Sequence, residues 1–394
     1  MNQTTIFDMM YPKYKINKPI RLIELFGGYG SQALALKYLG VEFEHWKLCE
    51  WAVKSIQAYK DIHFTNDNTD YLALQPYDDK RKWLISWLYE KGISQNYNEP
   101  MTKEQISRLN DKQLKTIYNN IVATNDMVNI QKTKGKDLQI QDTDKYEYIM
   151  TYSFPCQDLS LAGKGKGMSD TSTRSGMLWE VERILTECKE LGTMPQVLLM
   201  ENVPQVHSLD NMADFHKWQV RLEELGYKNY WQDLIATDYG IPQIRNRCYM
   251  VSILGNYSYT FPKPIPLKLK LKDMLEDNVK KKCYIDDDLL QHIIRTKKEH
   301  KEYTQFDRYN GMFEQLCRVW KEKSPTLHTK SNTVLIYDHN KIRRVTCKEC
   351  FRLMGVNDKD YEKCAKNQSD ASLYHLAGDS IVVDVLVAII KELV

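Results

Sequence analysis

The stretch Arg21–Leu36 constrains the fold of this chain more than any other. Apolar residues run from Leu22 into Phe26, three glycines follow within four positions, and a helical pattern continues to Leu39. This order predicts a buried strand, a tight glycine-rich turn and a helix that begins at the turn. Such a unit lets a nucleotide-like ligand approach the backbone at the amino end of a helix. The spacing is not the full dinucleotide fingerprint, so ordinary α/β packing explains the glycines equally well.

The second predicted strand, Phe43–Cys49, ends in Glu50 and Trp51. An acidic residue about 20 positions past the glycines is placed to bond ribose hydroxyls, and an indole can stack on adenine. Strand and helix patterns alternate to about residue 255, which predicts an α/β fold with a doubly wound, mostly parallel sheet. Packing is again the alternative for each residue taken alone.

The segment 67–135 interrupts this alternation with helical patterns of its own. Its stripe of Trp83 and Trp87 has the spacing of a packed helix face and is better explained by packing than by binding. The predicted helices are Lys80–Lys91, Lys103–Leu109 and Asp111–Ala123.

A cysteine, Cys156, follows Pro155 directly after the apolar run Tyr146–Tyr152. The run is typical of a buried strand, and proline restricts the backbone at its end. The stretch 158–176 is rich in Gly, Ser and Lys and is predicted to be a mobile loop. A thiol at a rigid strand end beneath such a loop is a candidate nucleophile. A small buried cysteine is the commoner alternative.

Charged residues also follow two later strand patterns. Glu201 ends the apolar strand that begins at Pro195, and the carboxyl end of a parallel strand is the ligand side of the sheet. Arg245 and Arg247 are alternate residues at the start of another strand, so their side chains are predicted to share one face. A solvated strand start is the alternative for the two arginines.

Together these motifs resemble the cytosine-5 DNA methyltransferases, which use S-adenosylmethionine. The resemblance covers residues 20–66 and 137–390. A single tripeptide is weak evidence, but the ordered set, with each motif at its expected strand or helix end, is specific. The set comprises the Phe26–Gly30 turn, Glu50-Trp51, Asp137, Pro155-Cys156-Gln157, Glu201-Asn202-Val203, Gln243 with Arg245 and Arg247, Arg344 with Thr346 and Glu349, and Gly378 with Ser380.

The resemblance implies a Rossmann-like methyltransferase fold and covalent catalysis. Cys156 would add to carbon 6 of cytosine, and a protonated Glu201 would neutralise charge at ring nitrogen 3. Arg247, with Arg245, would bond oxygen 2 and a nearby phosphate. Both faces of the ring must be reached, so the base has to leave the duplex.

The resemblance also implies the contacts of S-adenosylmethionine, whose product is S-adenosylhomocysteine. For the contact assigned to Asp137 two other residues are possible, since Asp142 and Asp144 follow closely in the sequence. Asp379 stands where the family usually has Asn, and we expect its carboxylate to point away from the cofactor, toward a lysine, an arginine or the backbone near Cys156. The implied cofactor contacts are Phe26, Gly28, Gly30, Glu50, Trp51, Asp137, Leu138, Pro155, Leu178 and Ser380.

Two domains are expected. Residues 1–255 with 345–394 would form the catalytic domain, carrying the 67–135 insertion, and 256–344 would form a smaller target-recognition domain. The latter holds 19 basic and 12 acidic residues, whereas the whole chain has a net charge of only +3. This local excess of positive charge suits contact with DNA phosphates. The expected DNA contacts are Gln157, Ser160, Lys164, Lys166, Thr326 and Thr329.

Composition adds a few expectations. No apolar run was identified as long enough to span a membrane and no signal-peptide pattern opens the chain, so a cytoplasmic enzyme is predicted. Nine scattered cysteines indicate reduced thiols, and Cys347-x-x-Cys350 reads as two positions of one helix rather than a zinc site. No metal site is expected. The expected partner is double-stranded DNA, the protein is expected to be a monomer, and a companion restriction endonuclease or a phage origin is compatible with it.

Two other functions compete with this interpretation. A catalytically dead DNA-binding relative would have lost Cys156, Glu201 or Arg247, and all three are present. An RNA methyltransferase of the same fold would share the motifs. The separate basic region 256–344 favours duplex DNA, and its recognised bases depend on which side chains reach the groove.

Overall fold

The computed structural model describes residues 11–155, 175–285, 322–329, 334–338 and 341–394. The strands are β1 Ile20–Leu25, β2 Phe43–Cys49, β3 Glu147–Tyr152, β4 Val197–Asn202, β5 Tyr227–Ile235, β6 Gln243–Ile244, β7 Asn246–Leu254, β8 Ser324–Pro325, β9 Leu335–Asp338 and β10 Lys341–Arg344. The helices are α1 Ser31–Leu39, α2 Val53–His63, α3 Lys80–Lys91, α4 Lys103–Ser107, α5 Asp111–Ala123, α6 Leu178–Glu190, α7 Met212–Glu224, α8 Cys347–Leu353, α9 Asp358–Ala365, α10 Asp370–Gly378 and α11 Val383–Lys391.

The chain divides into two compact units. The first comprises Met1–Leu234, Arg247–Pro262 and Leu386–Val394, and the second comprises Ile235–Asn246 and Lys263–Val385. The predicted boundary differs, since it placed 345–385 in the catalytic domain. The physical reason for the observed division is local packing within the second unit, where buried Arg343 bonds Glu349 at 2.7 and 2.8 Å. The assignment of target recognition to 256–344 stays a prediction.

A six-stranded sheet organises the first unit in the order β2-β1-β3-β4-β7-β5. Strands β1 to β4 run parallel, and β7 is antiparallel to β4. Every residue of β1, β3 and β4 is buried, as expected of strands covered on both faces. The predicted doubly wound, mostly parallel sheet is therefore confirmed. The chain leaves β1 for β2 on one side and returns to β3 on the other, so a ligand crevice is expected at the carboxyl ends of these strands.

The insertion forms the three predicted helices, α3 to α5, with α4 ending at Ser107. Leu84 and Leu88 are buried in a cluster of the insertion, and Trp83 and Trp87 pack against it, which confirms the packing interpretation. After α5 the chain runs beside β2, where Met127 N donates to Leu48 O at 2.8 Å. The segment thus covers the open edge of the sheet.

The second unit is built from short elements. β6 pairs with β8 in parallel, and β9 pairs with β10 in an antiparallel hairpin. A capping box of Thr346 and Glu349 starts α8. Cys347 and Cys350 are both buried on this helix, as predicted, and burial raises the pKa of the Cys347 thiol to about 12.

The stretch Asp370–Lys391 corrects one expectation from composition. By length and hydropathy alone it could cross a membrane, although 56% of its most apolar window is buried inside the protein. A break between α10 and α11 at residues 379–382 divides it. A core position explains its apolar character.

Candidate active site

The turn after β1 is shaped by left-handed backbone conformations. Phe26 has φ +57°, and Gly28 and Gly30 have φ +56° and +83°. A Cβ on Gly30 would lie 2.4 Å from His63 Nε2, so this glycine is required by packing. A Cβ on Gly28 would have no heavy atom within 4 Å among the described residues. Space in front of Gly28 is what a ligand approaching the backbone needs.

Glu50 is held against this turn. Its carboxylate accepts hydrogen bonds from Gly28 N at 3.0 Å and Ala52 N at 2.8 Å. Its own N–H donates to the carboxylate of Asp126 at 3.0 Å. The structure therefore brings two predicted cofactor residues together and adds Asp126, which sequence reasoning missed. Asp126 Oδ1 also accepts from Val128 N at 2.8 Å, an Asx turn that only the Asp residue type could have hinted at.

Trp51 packs against the hydrophobic cluster of the insertion, and Phe26 packs against the main core. Both rings are only partly buried. The remaining surface of each is available for stacking. Leu178, the first residue of α6, is fully buried and lines the core.

Asp137 lies in a short 3₁₀ helix after the insertion. One of its oxygens accepts from Lys134 N at 2.8 Å, while the neighbouring Leu138 is fully buried. Asp137 is half-buried, whereas its two competitors, Asp142 and Asp144, are exposed. This difference favours Asp137 as a ligand-binding residue.

A cavity of about 440 Å³ borders Asp137. Lys91 and Lys132 line it, together with the buried Lys47, whose Nζ donates to Asn125 Oδ1 at 3.0 Å. Burial lowers the pKa of Lys47, and Asp137 opposes that shift. The cavity lies between β2 and the insertion, and neither Glu201 nor Arg247 lines it.

The ends of β3 and β4 are joined beside the predicted nucleophile. Asn202 Nδ2 donates to Phe154 O at 3.0 Å, which fixes the peptide before Pro155. Sequence reasoning had given Asn202 no role. The predicted residues Cys156, Gln157, Ser160, Lys164 and Lys166 lie outside the described residues.

Glu201 and Arg247 form the charged pair of the site. Glu201 Oε1 lies 3.1 Å from Arg247 Nε, and the two side chains are only 10% and 15% exposed. Glu201 is the last residue but one of β4, and Arg247 is the second residue of β7, the neighbouring strand. An ion pair this well shielded from water is positioned to act on a polar ligand at the strand ends.

Arg245 departs from its predicted position. It lies between β6 and β7 rather than within one continuous strand, so it does not alternate with Arg247 on a shared face. Its guanidinium donates to Leu327 O at 3.0 Å, Gly378 O at 3.2 Å and Ser380 O at 2.6 Å, all in the second unit. Arg245 therefore cross-links backbone carbonyls of the second unit.

The segment that holds the expected DNA contacts Thr326 and Thr329 also has a structural role. Thr326 donates its hydroxyl to Ile244 O at 2.6 Å, and Leu327 is fully buried. Thr329 is half-buried in a turn. A Cβ on Gly378 would lie 2.1 Å from His328 C, so glycine allows α10 to approach this backbone closely.

Ser380 and Asp379 follow α10. The Ser380 hydroxyl donates to Leu376 O. The Asp379 side chain is 65% exposed, with Oδ2 4.0 Å from His375 Nε2. Asp379 thus lies near a histidine, and no pairing with a lysine or arginine is seen among the described residues; the expected alternative, the backbone near Cys156, lies partly outside them.

Comparison with known proteins identifies relatives. A model of the C-5 cytosine-specific DNA methylases matches residues 89–394. The type II methyltransferase M2.ScrFI of Lactococcus lactis subsp. cremoris is 33% identical over 95% of this chain and 99% of its own length. The orphan methyltransferase M.SssI of Spiroplasma monobiae is 32% identical over 95% and 97% of the two chains.

Solved structures share the fold at lower identity. The Dnmt2 methyltransferase of S. pombe has a TM-score of 0.59 and 16% identity over 95% of this chain and 98% of its own. The methyltransferase EhMeth of Entamoeba histolytica has a TM-score of 0.61 and 14% identity over the same shares of the two chains.

Proposed function

Because the chain belongs to the C-5 cytosine-specific DNA methylases and is therefore a DNA cytosine-5 methyltransferase, we propose that Cys156 is its covalent nucleophile. The target cytosine would be flipped out of a specific duplex sequence. The observation that carries this proposal is the shielded Glu201–Arg247 pair, in which Glu201 lies on β4, the strand next to β3 that leads into Pro155.

The chemistry follows from what cytosine needs. Addition of the Cys156 thiolate to carbon 6 makes carbon 5 electron-rich, which an unactivated ring is not. Bound S-adenosylmethionine supplies an electrophilic methyl group. Loss of the carbon 5 proton to a water molecule and of the Cys156 thiolate from carbon 6 then restores the aromatic ring. The hydrogen bond from Asn202 to Phe154 O would hold the backbone before the nucleophile in place.

Glu201 would bond ring nitrogen 3, and Arg247 would bond oxygen 2. Pairing with a guanidinium favours the ionised carboxylate, whereas charge neutralisation at nitrogen 3 needs a proton. Bound cytosine would resolve this conflict by taking Arg247 as its own partner, and Glu201 would then take up a proton from solvent and share it with ring nitrogen 3. The pair would thus change partners as the base enters.

The cofactor site would be assembled around the β1 turn. Gly28 would leave room for the methionine part, and the Glu50 carboxylate, held against the turn by Gly28 N, would bond ribose hydroxyls. Asp137 would accept from the adenine amino group. The other proposed contacts are Phe26, Gly30, Trp51, Leu138, Pro155, Leu178 and Ser380.

Substrate recognition would fall to the basic region 256–344, with Thr326 and Thr329 near its described end. Phosphate contacts from lysines and arginines would supply affinity, and base-edge contacts would supply specificity. A monomeric cytoplasmic enzyme acting on cellular DNA fits these properties, and a companion endonuclease that cuts the same site would fit a type II relative.

Trapping by modified DNA tests this proposal. Duplex DNA carrying 5-fluorocytosine at the target should hold the enzyme covalently, because fluorine cannot leave as a proton. Cys156→Ala should abolish trapping and methyl transfer while S-adenosylhomocysteine still binds. Cys283→Ala, a partly exposed cysteine in the second unit, is the matched control and should trap normally.

Trapping by Cys156→Ala at the wild-type level would refute the nucleophile assignment. Methyl transfer to tRNA but not to duplex DNA would refute the substrate.

A further inference from the structure

Three potential metal ligands meet on the first unit outside the Glu201–Arg247 pair. The ligand atoms of His207, Asp233 and Cys248 all lie within 4.8 Å of one another. We propose that these side chains bind a thiophilic divalent cation, with Zn²⁺ the best match. This inference does not rest on the proposed function.

The fold brings the three residues together from adjacent strands. Cys248 lies on β7, Asp233 on the neighbouring β5, and His207 ends the 3₁₀ turn that follows β4 on the other side. In the β4–β7 pair, Cys248 is opposite Asn202, whereas Tyr249 is opposite Glu201. Successive residues of a strand point to opposite faces, so Cys248 lies on the face away from Arg247. The Cys248 ligand of the cluster therefore lies on the opposite face of β7 from Arg247.

The ligand set suits zinc. Zinc takes imidazole nitrogen, carboxylate oxygen and thiolate sulfur at about 2.0–2.3 Å, and a tetrahedral site with three protein ligands keeps a fourth position for water. Tetrahedral ligands at those bond lengths lie roughly 3.3–3.8 Å apart. His207 Nε2 and Asp233 Oδ1 are 2.8 Å apart, so the ion would replace their hydrogen bond and separate them slightly.

Access and proton balance are also compatible with the ion. His207 and Asp233 are 21% and 31% exposed, while Cys248 is buried beneath them, so an ion can enter from solvent. The His207 ring is held against Trp231 at a centroid distance of 4.8 Å, which limits its movement. Binding would release the Cys248 thiol proton to solvent and leave the thiolate on the metal.

Occupation would have a structural consequence. The ion would join β5 and β7 to the turn after β4, three segments that lie within the 42-residue stretch from His207 to Cys248. A ligand that binds only the folded state raises its stability. We expect the metal to stabilise the protein against heat without being needed for folding.

Cobalt spectroscopy tests the site on the full-length protein after treatment with a chelator. One equivalent of Co²⁺ should produce a thiolate-to-cobalt charge-transfer band with tetrahedral ligand-field bands, and Zn²⁺ should displace it. Cys248→Ser should lose the charge-transfer band, and His207→Gln and Asp233→Asn should each weaken Co²⁺ binding at least tenfold. Cys188→Ser, which removes another buried thiol of the first unit, is the matched control and should match wild type.

Thermal unfolding supplies a second readout. Zn²⁺ should raise the melting temperature of wild type and of Cys188→Ser, and leave that of Cys248→Ser unchanged. Circular dichroism checks that each variant is folded. If Cys248→Ser does not fold, His207→Gln and Asp233→Asn take its place in this test. The proposal is overturned if wild type shows no thiolate band with Co²⁺, or if the band persists in Cys248→Ser, or if affinity stays within twofold in both conservative variants.

Discussion

Arg247 Nε lies 3.1 Å from Glu201 Oε1, and this pair joins the carboxyl end of β4 to the start of β7. The two side chains are almost buried, so their attraction is little screened by water. Sequence motifs had placed each residue in the site separately. Their contact shows that the fold places the two charged groups directly against each other.

Removing the guanidinium of Arg247 should impair catalysis. We expect Arg247→Met to lower kcat/KM by roughly 10²–10³-fold, because it deletes a positioned donor for the developing charge. Steady-state methyl transfer to duplex DNA measures the loss. Arg221→Met is the charge-matched control, since Arg221 pairs with Glu182 on the outer helices, and it should stay within about twofold of wild type. Full activity of folded Arg247→Met would show that the pair is dispensable.

Arg245 should behave as a structural residue. Arg245→Met leaves three backbone carbonyls without their donor, so we expect a loss of about 2–4 kcal/mol in the free energy of unfolding. Urea denaturation measures it, with exposed Arg108→Met as the control. Trapping on 5-fluorocytosine DNA gives the fraction of enzyme that is active. The kcat calculated per active enzyme molecule should stay near the wild-type value. A stable variant with a strongly reduced kcat would instead restore the catalytic role that the motif first suggested.

Glu24 should make stability depend on pH. It is fully buried beneath the β1 turn, its carboxylate accepts from Tyr59 Oη–H at 2.5 Å, and burial raises its pKa to about 7. Because the folded-state pKa lies above the unfolded value of about 4.3, the unfolded chain releases its proton first, and stability falls as pH rises between these values. The carboxyl's contribution is complete below about pH 4 and lost above about pH 7.

Glu24→Gln should remove this dependence. Relative to wild type, its free energy of unfolding should improve by up to about 3 kcal/mol between pH 4.5 and pH 8. Urea titrations at both pH values measure the difference. The exposed substitution Glu223→Gln is the control and should show no such change. An equal pH dependence in wild type and Glu24→Gln would contradict the prediction.

Asp126 should support cofactor binding through Glu50. Its Oδ1 accepts from Glu50 N and Val128 N, so Asp126→Ala should loosen the strand end and weaken S-adenosylhomocysteine binding about tenfold. Asp126→Asn keeps the acceptor and should stay within about threefold. Calorimetric titration measures both, and Asp111→Ala, an exposed position on the insertion, is the control. Equal affinity of Asp126→Ala and wild type would show that Asp126 does not support cofactor binding.

Local patterns in the sequence determined much of this protein. The bounds of α3 and α5 agree with their apolar periodicity, and the capping box of Thr346 and Glu349 forms as the residue types require. The glycine-rich turn after β1 also appears where it was predicted. These features depend on residues within a few positions of one another, so neighbouring side chains and backbone sterics are enough to specify them.

Only the tertiary structure decided which distant residues meet. Arg245 and Arg247 are two positions apart, but a break between β6 and β7 sends one to backbone carbonyls and the other to Glu201. Asp126 reaches Glu50 because its segment covers the edge of β2. The His207, Asp233 and Cys248 cluster has no ligand spacing in the sequence at all. Strand order and register set such contacts, and these depend on the packing of the whole sheet rather than on any local pattern.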